Sequence, residues 1–107
     1  MKPFTWNAEH ICVRTTHLLD TIQMNAVLTE FVGTSLLIAT IAYVGTPLAI
    51  GFALFVAVLV GGPVSGGHFN PAVTLWAYLT HKISHDKAVL YFIAQLAAGV
   101  VVFLSKA

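Results

Sequence analysis

The stretch Ser65-Gly66-Gly67-His68-Phe69-Asn70-Pro71-Ala72-Val73-Thr74 constrains this chain more than any other. Two glycines loosen the backbone, and Asn-Pro then opens a helix. Asn70 is a strong N-cap, and Pro71 in the first turn gives up an N–H that would have had no partner there. The helix that follows, 71–80, runs for about ten residues, or roughly 15 Å. That is about half of a hydrocarbon core of roughly 30 Å. Long apolar runs lie on both sides, so the short helix reads as a re-entrant half-helix that stops partway across a membrane.

Composition supports that setting. Of 107 residues, 58% are hydrophobic and only 8% charged, against roughly 25% charged in soluble domains. A soluble fold this small would lack the charge to cover its surface. The formal net charge of +1 argues against a nucleic-acid partner, which needs a concentrated basic face. Cys12 is the only cysteine, so no intrachain disulfide is available. No Ser/His/Asp or Cys/His arrangement is suggested, and no phosphate-binding glycine loop stands at a strand–helix junction. The chain therefore reads as no enzyme, with no cofactor implied. His81 and His85 stand at a zinc-compatible spacing, but no matching ligand group accompanies them.

In chain order, residues 1–24 form a polar arm with Lys2, Glu9, His10, Arg14 and Asp20. It has no apolar core of signal-peptide length, and a short interfacial helix is expected around 17–24. Three spans follow at about 26–44, 47–62 and 88–104, with a re-entrant loop and half-helix at 63–80. The fold class is an all-α membrane protein of three transmembrane helices plus one re-entrant half-helix. Three spans put Lys2, Arg14, Lys82 and Lys87 on one side and Lys106 on the other, so the N-terminus and the 81–87 loop are expected to be cytoplasmic.

Several groups carry a functional reading. Glu30 lies inside the first span, where a carboxyl is costly and usually finds a partner. Either it accepts from unpaired N–H groups of the loop between Ser65 and Phe69, or it snorkels to the nearby interface. Irregular backbone at membrane depth is tolerated only when buried in protein or lining a wet cavity. Gly66 and Gly67 leave their carbonyls unobstructed, a row of acceptors for a file of polar molecules. Asn70 keeps side-chain donors for the end of that row. The helix starting at Pro71 aims its positive end at the same point, which disfavours cations. These parts describe a conduit for small neutral solutes. His68 is either a donor facing that conduit or a packed histidine holding the loop. Gln95 is the one strongly polar residue of the last span and is expected to bond between helices.

The ten residues from Ser65 to Thr74 resemble the signature loop of the aquaporin and aquaglyceroporin (major intrinsic protein) family, and Glu30-Phe31-Val32-Gly33-Thr34 is similar to the family's first span. The order of elements over about 26–105 matches as well. The resemblance implies that Asn70, Pro71 and Ala72 form the first of two Asn-Pro-Ala boxes. Carbonyls of Gly66, Gly67 and His68 would line the path, and Glu30 would brace the loop. Ile50, twenty residues before Asn70, takes a place in the family's constriction that is often aromatic. Residues 25–107 would then be the first repeat, half of an inverted-repeat fold whose two half-helices meet at the midplane. The sequence holds no second Asn-Pro-Ala box and no arginine after one.

Two functions follow as expectations. One is a half-channel for water or small neutral solutes such as glycerol, completed by an inverted half from another chain or by a copy of itself in a homo-oligomer. The other is a truncated, non-conducting membrane protein that associates with full-length channels and modulates them.

Overall fold

The computed structural model describes residues 8–107, with side chains from Arg14 onward. Residues 1–7 of the polar arm, Lys2 included, lie outside the described residues, as does the thiol of Cys12. Four helices make up the described chain: α1 (Ala8–Tyr43), α2 (Pro47–Ser65), α3 (Pro71–Leu79) and α4 (His85–Lys106). Three of them, α1, α2 and α4, are long and apolar enough to cross a membrane, and α3 is the half-length helix between the second and third.

α1 is longer than the sequence suggested. It runs 36 residues without interruption, about 54 Å at 1.5 Å per residue, so the polar stretch 17–24 continues the first span instead of forming a separate interfacial helix. No glycine or proline occurs between residues 8 and 32, and nothing else in that interval stops a helix. α1 ends where Gly45, at φ +74°, returns its N–H to the Thr40 carbonyl at 3.0 Å, and Thr46-Pro47 then starts α2. α2 also runs past its expected end, through Pro63 to Ser65. Pro63 sits in the last turn, where it forfeits a single bond to the preceding turn.

α3 stops for a definite reason. His81 takes the left-handed conformation at φ +59°. Its N–H bonds the Tyr78 carbonyl at 3.0 Å, and the Lys82 N–H bonds Ala77 at 2.8 Å. That pair of bonds is a Schellman closure, built on histidine where glycine is usual. Ser84 then caps α4, accepting from the Lys87 N–H at 3.2 Å, and Asp86 in the first turn with Lys106 in the last suits the α4 dipole.

α1 packs against both α2 and α4, and α3 lies along α4. α1 and α4 run parallel: Glu30 meets Gln95 near their middles, and Tyr43 meets Ser105 at their ends. The buried apolar side chains are mostly alanines, Ala26, Ala53, Ala57, Ala88, Ala94 and Ala98 among them. Small residues let helix backbones approach closely, which drives packing when lipid outside is as apolar as the interior. The large side chains point away: Leu48, Phe52, Phe55 and Leu59 on α2, and Ile93, Leu96, Val100 and Phe103 on α4, are all exposed. Such an exterior suits hydrocarbon, not water.

Candidate functional site

Glu30 is fully buried, 0% exposed, and the site is built around it. Its Oε1 accepts from the Ser65 hydroxyl at 2.7 Å and the His68 N–H at 2.9 Å. Its Oε2 accepts from the Phe69 N–H at 2.6 Å and Gln95 Nε2 at 3.1 Å. Four donors converge on two oxygens, which suits an acceptor-only carboxylate. Glu30 thus turns into the protein and does not snorkel toward water.

The loop that Glu30 meets has its N–H groups consumed in order. Gly66 donates to the Gly62 carbonyl at 2.8 Å, Gly67 to Ser65 Oγ at 3.1 Å, and His68 and Phe69 to Glu30. The Tyr91 hydroxyl, buried on α4, donates to the Ser65 carbonyl at 2.6 Å. By contrast, no described donor reaches the carbonyls of Gly66, Gly67 or His68. Three loop residues hold left-handed backbone: Gly66 at +91°, Gly67 at +67° and Phe69 at +52°. For glycine this costs nothing, but for Phe69 it is strained and must be held from outside. The hold comes from its N–H bond to Glu30 and from its ring, 2% exposed, which lies against Gly33 of α1 and Gly61 of α2.

Asn70 caps α3 as its sequence position implies. Its Oδ1 accepts from the Ala72 N–H at 2.7 Å, and its backbone carbonyl receives Thr74 N–H at 3.1 Å. Its side-chain nitrogen carries no partner among the described residues, and the residue is exposed. Asn70→Ala should destabilise the loop by about 1 kcal/mol, the usual cost of a lost N-cap. Thermal unfolding and limited proteolysis of the 63–71 segment in detergent would register it.

Depth follows from the helix contacts. Gln95 stands at the midpoint of α4, and its Nε2 donates both to Glu30 and to Thr74 Oγ1, at 2.8 Å. Thr74 closes the first turn of α3, its N–H bonded to the Asn70 carbonyl. The amino end of the half-helix therefore sits at the middle of a spanning helix. Ile50 is not part of this cluster. It lies in the first turn of α2, fifteen residues or roughly 22 Å of helix from Ser65. Pro71 and Ala72 form the first turn of α3 beside Asn70. His81 and His85 stay outside the cluster: His81 ends α3, and His85 meets Tyr78 edge-on with ring centroids 5.9 Å apart, its Nδ1 3.6 Å from Asp86.

Ser65, Thr74 and Tyr91 were not singled out by the sequence, although a signal existed for one of them. Tyr91 precedes Gln95 by four residues and so shares its helix face. Gly33 stands in the stretch that resembles the family's first span, but its packing role, like that of Gly61, is visible only in the fold.

Comparison with known proteins gives a consistent result. The family model described as "Major intrinsic protein" matches residues 14–105. Among curated proteins, "Aquaporin TIP1-2" of Musa acuminata is 57% identical over 61 residues, which is 57% of this chain and 24% of that protein. "Aquaporin TIP1-1" of Arabidopsis thaliana is 49% identical over 61 residues, with the same coverage. "Probable aquaporin PIP2-7" of Oryza sativa subsp. japonica is 42% identical over 60 residues, 56% of this chain and 21% of that protein. The match thus spans about a quarter of the length of these relatives. No solved structure matches the chain. With the family match covering nearly every described residue and three helices able to span a bilayer, the chain is a multi-pass membrane protein belonging to the major intrinsic protein family.

Proposed function

We propose that this chain supplies one half of a passage for water or small neutral solutes such as glycerol. The observation that carries the reading is the amino end of α3 at mid-depth. There the Asn70 amide nitrogen and the carbonyls of Gly66, Gly67 and His68 have no partner among the described residues. A molecule passing in single file meets acceptors first and a donor where the half-helix begins. The positive end of α3 at the same point raises the barrier to cations. Pro71 fixes the start of that helix and Ala72 supplies the N–H that holds the Asn70 side chain. Ile50 would act separately, toward the far end of α2. Glu30 supports the loop and does not itself touch the solute.

One half-helix of about 15 Å lines only half of a core of about 30 Å. The passage therefore needs an inverted half to complete it. A copy of this chain inserted the opposite way round is disfavoured by the charge distribution, with Lys2, Arg14, Lys82 and Lys87 on one side against Lys106 on the other. The same distribution supports a cytoplasmic N-terminus and a cytoplasmic 81–87 loop. Residues 25–107 would be the repeat unit, with the arm before it.

A chimera tests the reading. The 61 residues of Aquaporin TIP1-1 matched by this chain are replaced by their counterparts here, and the folded chimera is reconstituted in liposomes. Osmotic shrinkage well above that of empty liposomes is expected. Shrinkage at the rate of empty liposomes, with the parent active alongside, would count against a passage. The chain reconstituted by itself should give no flux above empty liposomes.

A further inference from the structure

Thr74 behaves unlike most of the threonines around it. The hydroxyls of Thr21, Thr29, Thr40 and Thr80 each return to a carbonyl four residues back. Thr74, fully buried, instead lies 2.8 Å from Gln95 Nε2 and 2.9 Å from His68 Nδ1. The sense of these bonds can be worked out from one end. The Glu30 carboxylate only accepts, so the Gln95 atom facing it is the nitrogen, and an amide nitrogen only donates. Gln95 gives one proton to Glu30 and the other to Thr74 Oγ1. The oxygen of Thr74 is then an acceptor, and its own proton needs a place to go. Among the described atoms the one in reach is His68 Nδ1. A nitrogen that accepts carries no proton, so the imidazole proton is on Nε2. The other tautomer would strand a hydroxyl proton in a fully buried position, which folded proteins avoid.

We propose that Glu30, Gln95 and Thr74 form a one-way chain of hydrogen bonds that fixes His68 as its neutral Nε2–H tautomer, so that the ring offers a donor, and no acceptor, to the cavity beside Gly66. The ring stands edge-on to Tyr91, with centroids 5.2 Å apart. Nε2 has no described partner and lies close to Gly66. His68 and Gly66 line a cavity of about 430 Å³ that is shared with Trp76, Lys82 and Lys87. A solute leaving the row of carbonyls there would be met by an N–H and would have to present a lone pair. Thr74 and Gln95 are positioning residues, since they act through His68. Only the identity of what meets the Nε2–H rests on the proposed passage; the tautomer stands on the hydrogen bonds alone.

The test is ¹⁵N NMR of the full chain, labelled at histidine and held in lipid nanodiscs near neutral pH. The His68 signals are assigned by their loss in His68→Gln. The wild type should show an unprotonated Nδ1 and a protonated Nε2. Thr74→Ser should keep that pattern, and Thr74→Val, which removes the proton given to Nδ1, should abolish its dominance. A wild-type His68 protonated at Nδ1 would overturn the proposal, as would a tautomer unchanged in Thr74→Val. Should Thr74→Val fail to fold, the wild-type spectrum alone decides. Flux through the chimera is read separately. A non-conducting chimera with an Nε2–H His68 would sink the passage and leave the tautomer standing.

Discussion

Glu30→Gln is expected to be among the most damaging single-atom changes available in this chain. Each carboxylate oxygen of Glu30 receives two donors. An amide in the same place turns one of those oxygens into an NH2 group, which faces two donors it cannot accept from. Leaving a buried donor unpaired costs about 1–3 kcal/mol, and at least one is stranded, since the Ser65 hydroxyl can turn to the Gly61 carbonyl at 3.3 Å. Whichever way the amide flips, one loop N–H, that of His68 or Phe69, loses its acceptor. Glu30→Leu should be worse, because the His68 and Phe69 N–H groups and the Gln95 amide then lose their acceptor together, while the Ser65 hydroxyl keeps only the Gly61 carbonyl at 3.3 Å. The expected readout is a large fall in the unfolding midpoint in detergent, together with new proteolytic cleavage between Ser65 and Asn70. A Glu30→Gln protein as stable as the wild type would show that the carboxylate does not hold the loop.

Gly33→Ala should rival it by a different route. A methyl group at Gly33 would overlap the Phe69 ring. The ring cannot easily withdraw, because Gly61 closes the other side, where an added Cβ would lie 2.8 Å from Phe69 Cζ and 2.9 Å from Thr29 Cγ2. Overpacking of this kind costs about 1–3 kcal/mol. Here it also pushes a residue whose backbone is already strained at φ +52°. The matched control is Gly51→Ala, where a Cβ meets nothing within 4 Å. That change removes a helix-interior glycine and should be neutral or stabilising by up to about 1 kcal/mol. The pair of alanines, compared by thermal unfolding, separates crowding of Phe69 from helix propensity. Equal effects at the two sites would mean the ring does not pin the loop.

What could be read from the sequence was whatever depends on neighbours in the chain. Asn70-Pro71 announces a helix start in two residues, and the lengths of the apolar runs give three spans. The glycine pair marks backbone that ordinary residues avoid. What stayed hidden depends on partners far along the chain. Gly33 and Gly61 look like incidental glycines until α1 and α2 come together with Phe69 wedged between them. Tyr91 looks like an ordinary span residue, and Thr74 like one more residue of the short helix, until α4 and α3 lie alongside the loop. The extent of α1 was hidden for another reason. Hydropathy marks where a helix leaves the apolar layer, but the helix itself continues until something breaks it, and no breaker occurs from Ala8 to Val32. The end of α3 falls within a residue of the expected 80, but the way it closes is not legible, because histidine, not glycine, occupies the left-handed position after Thr80.

The four-donor cluster also sets an order of assembly. Its anchor is thirty residues into the chain, its loop donors follow at 65–69, and its last donor is Gln95. When α1 and α2 first enter the bilayer during synthesis, the carboxylate and most of its donors are present, but the Gln95 amide and the Tyr91 hydroxyl have yet to emerge. Insertion of α4 therefore does more than add a third crossing. It delivers the side chains that complete the hold on the loop, so Glu30 has its full set of donors only once α4 is in place.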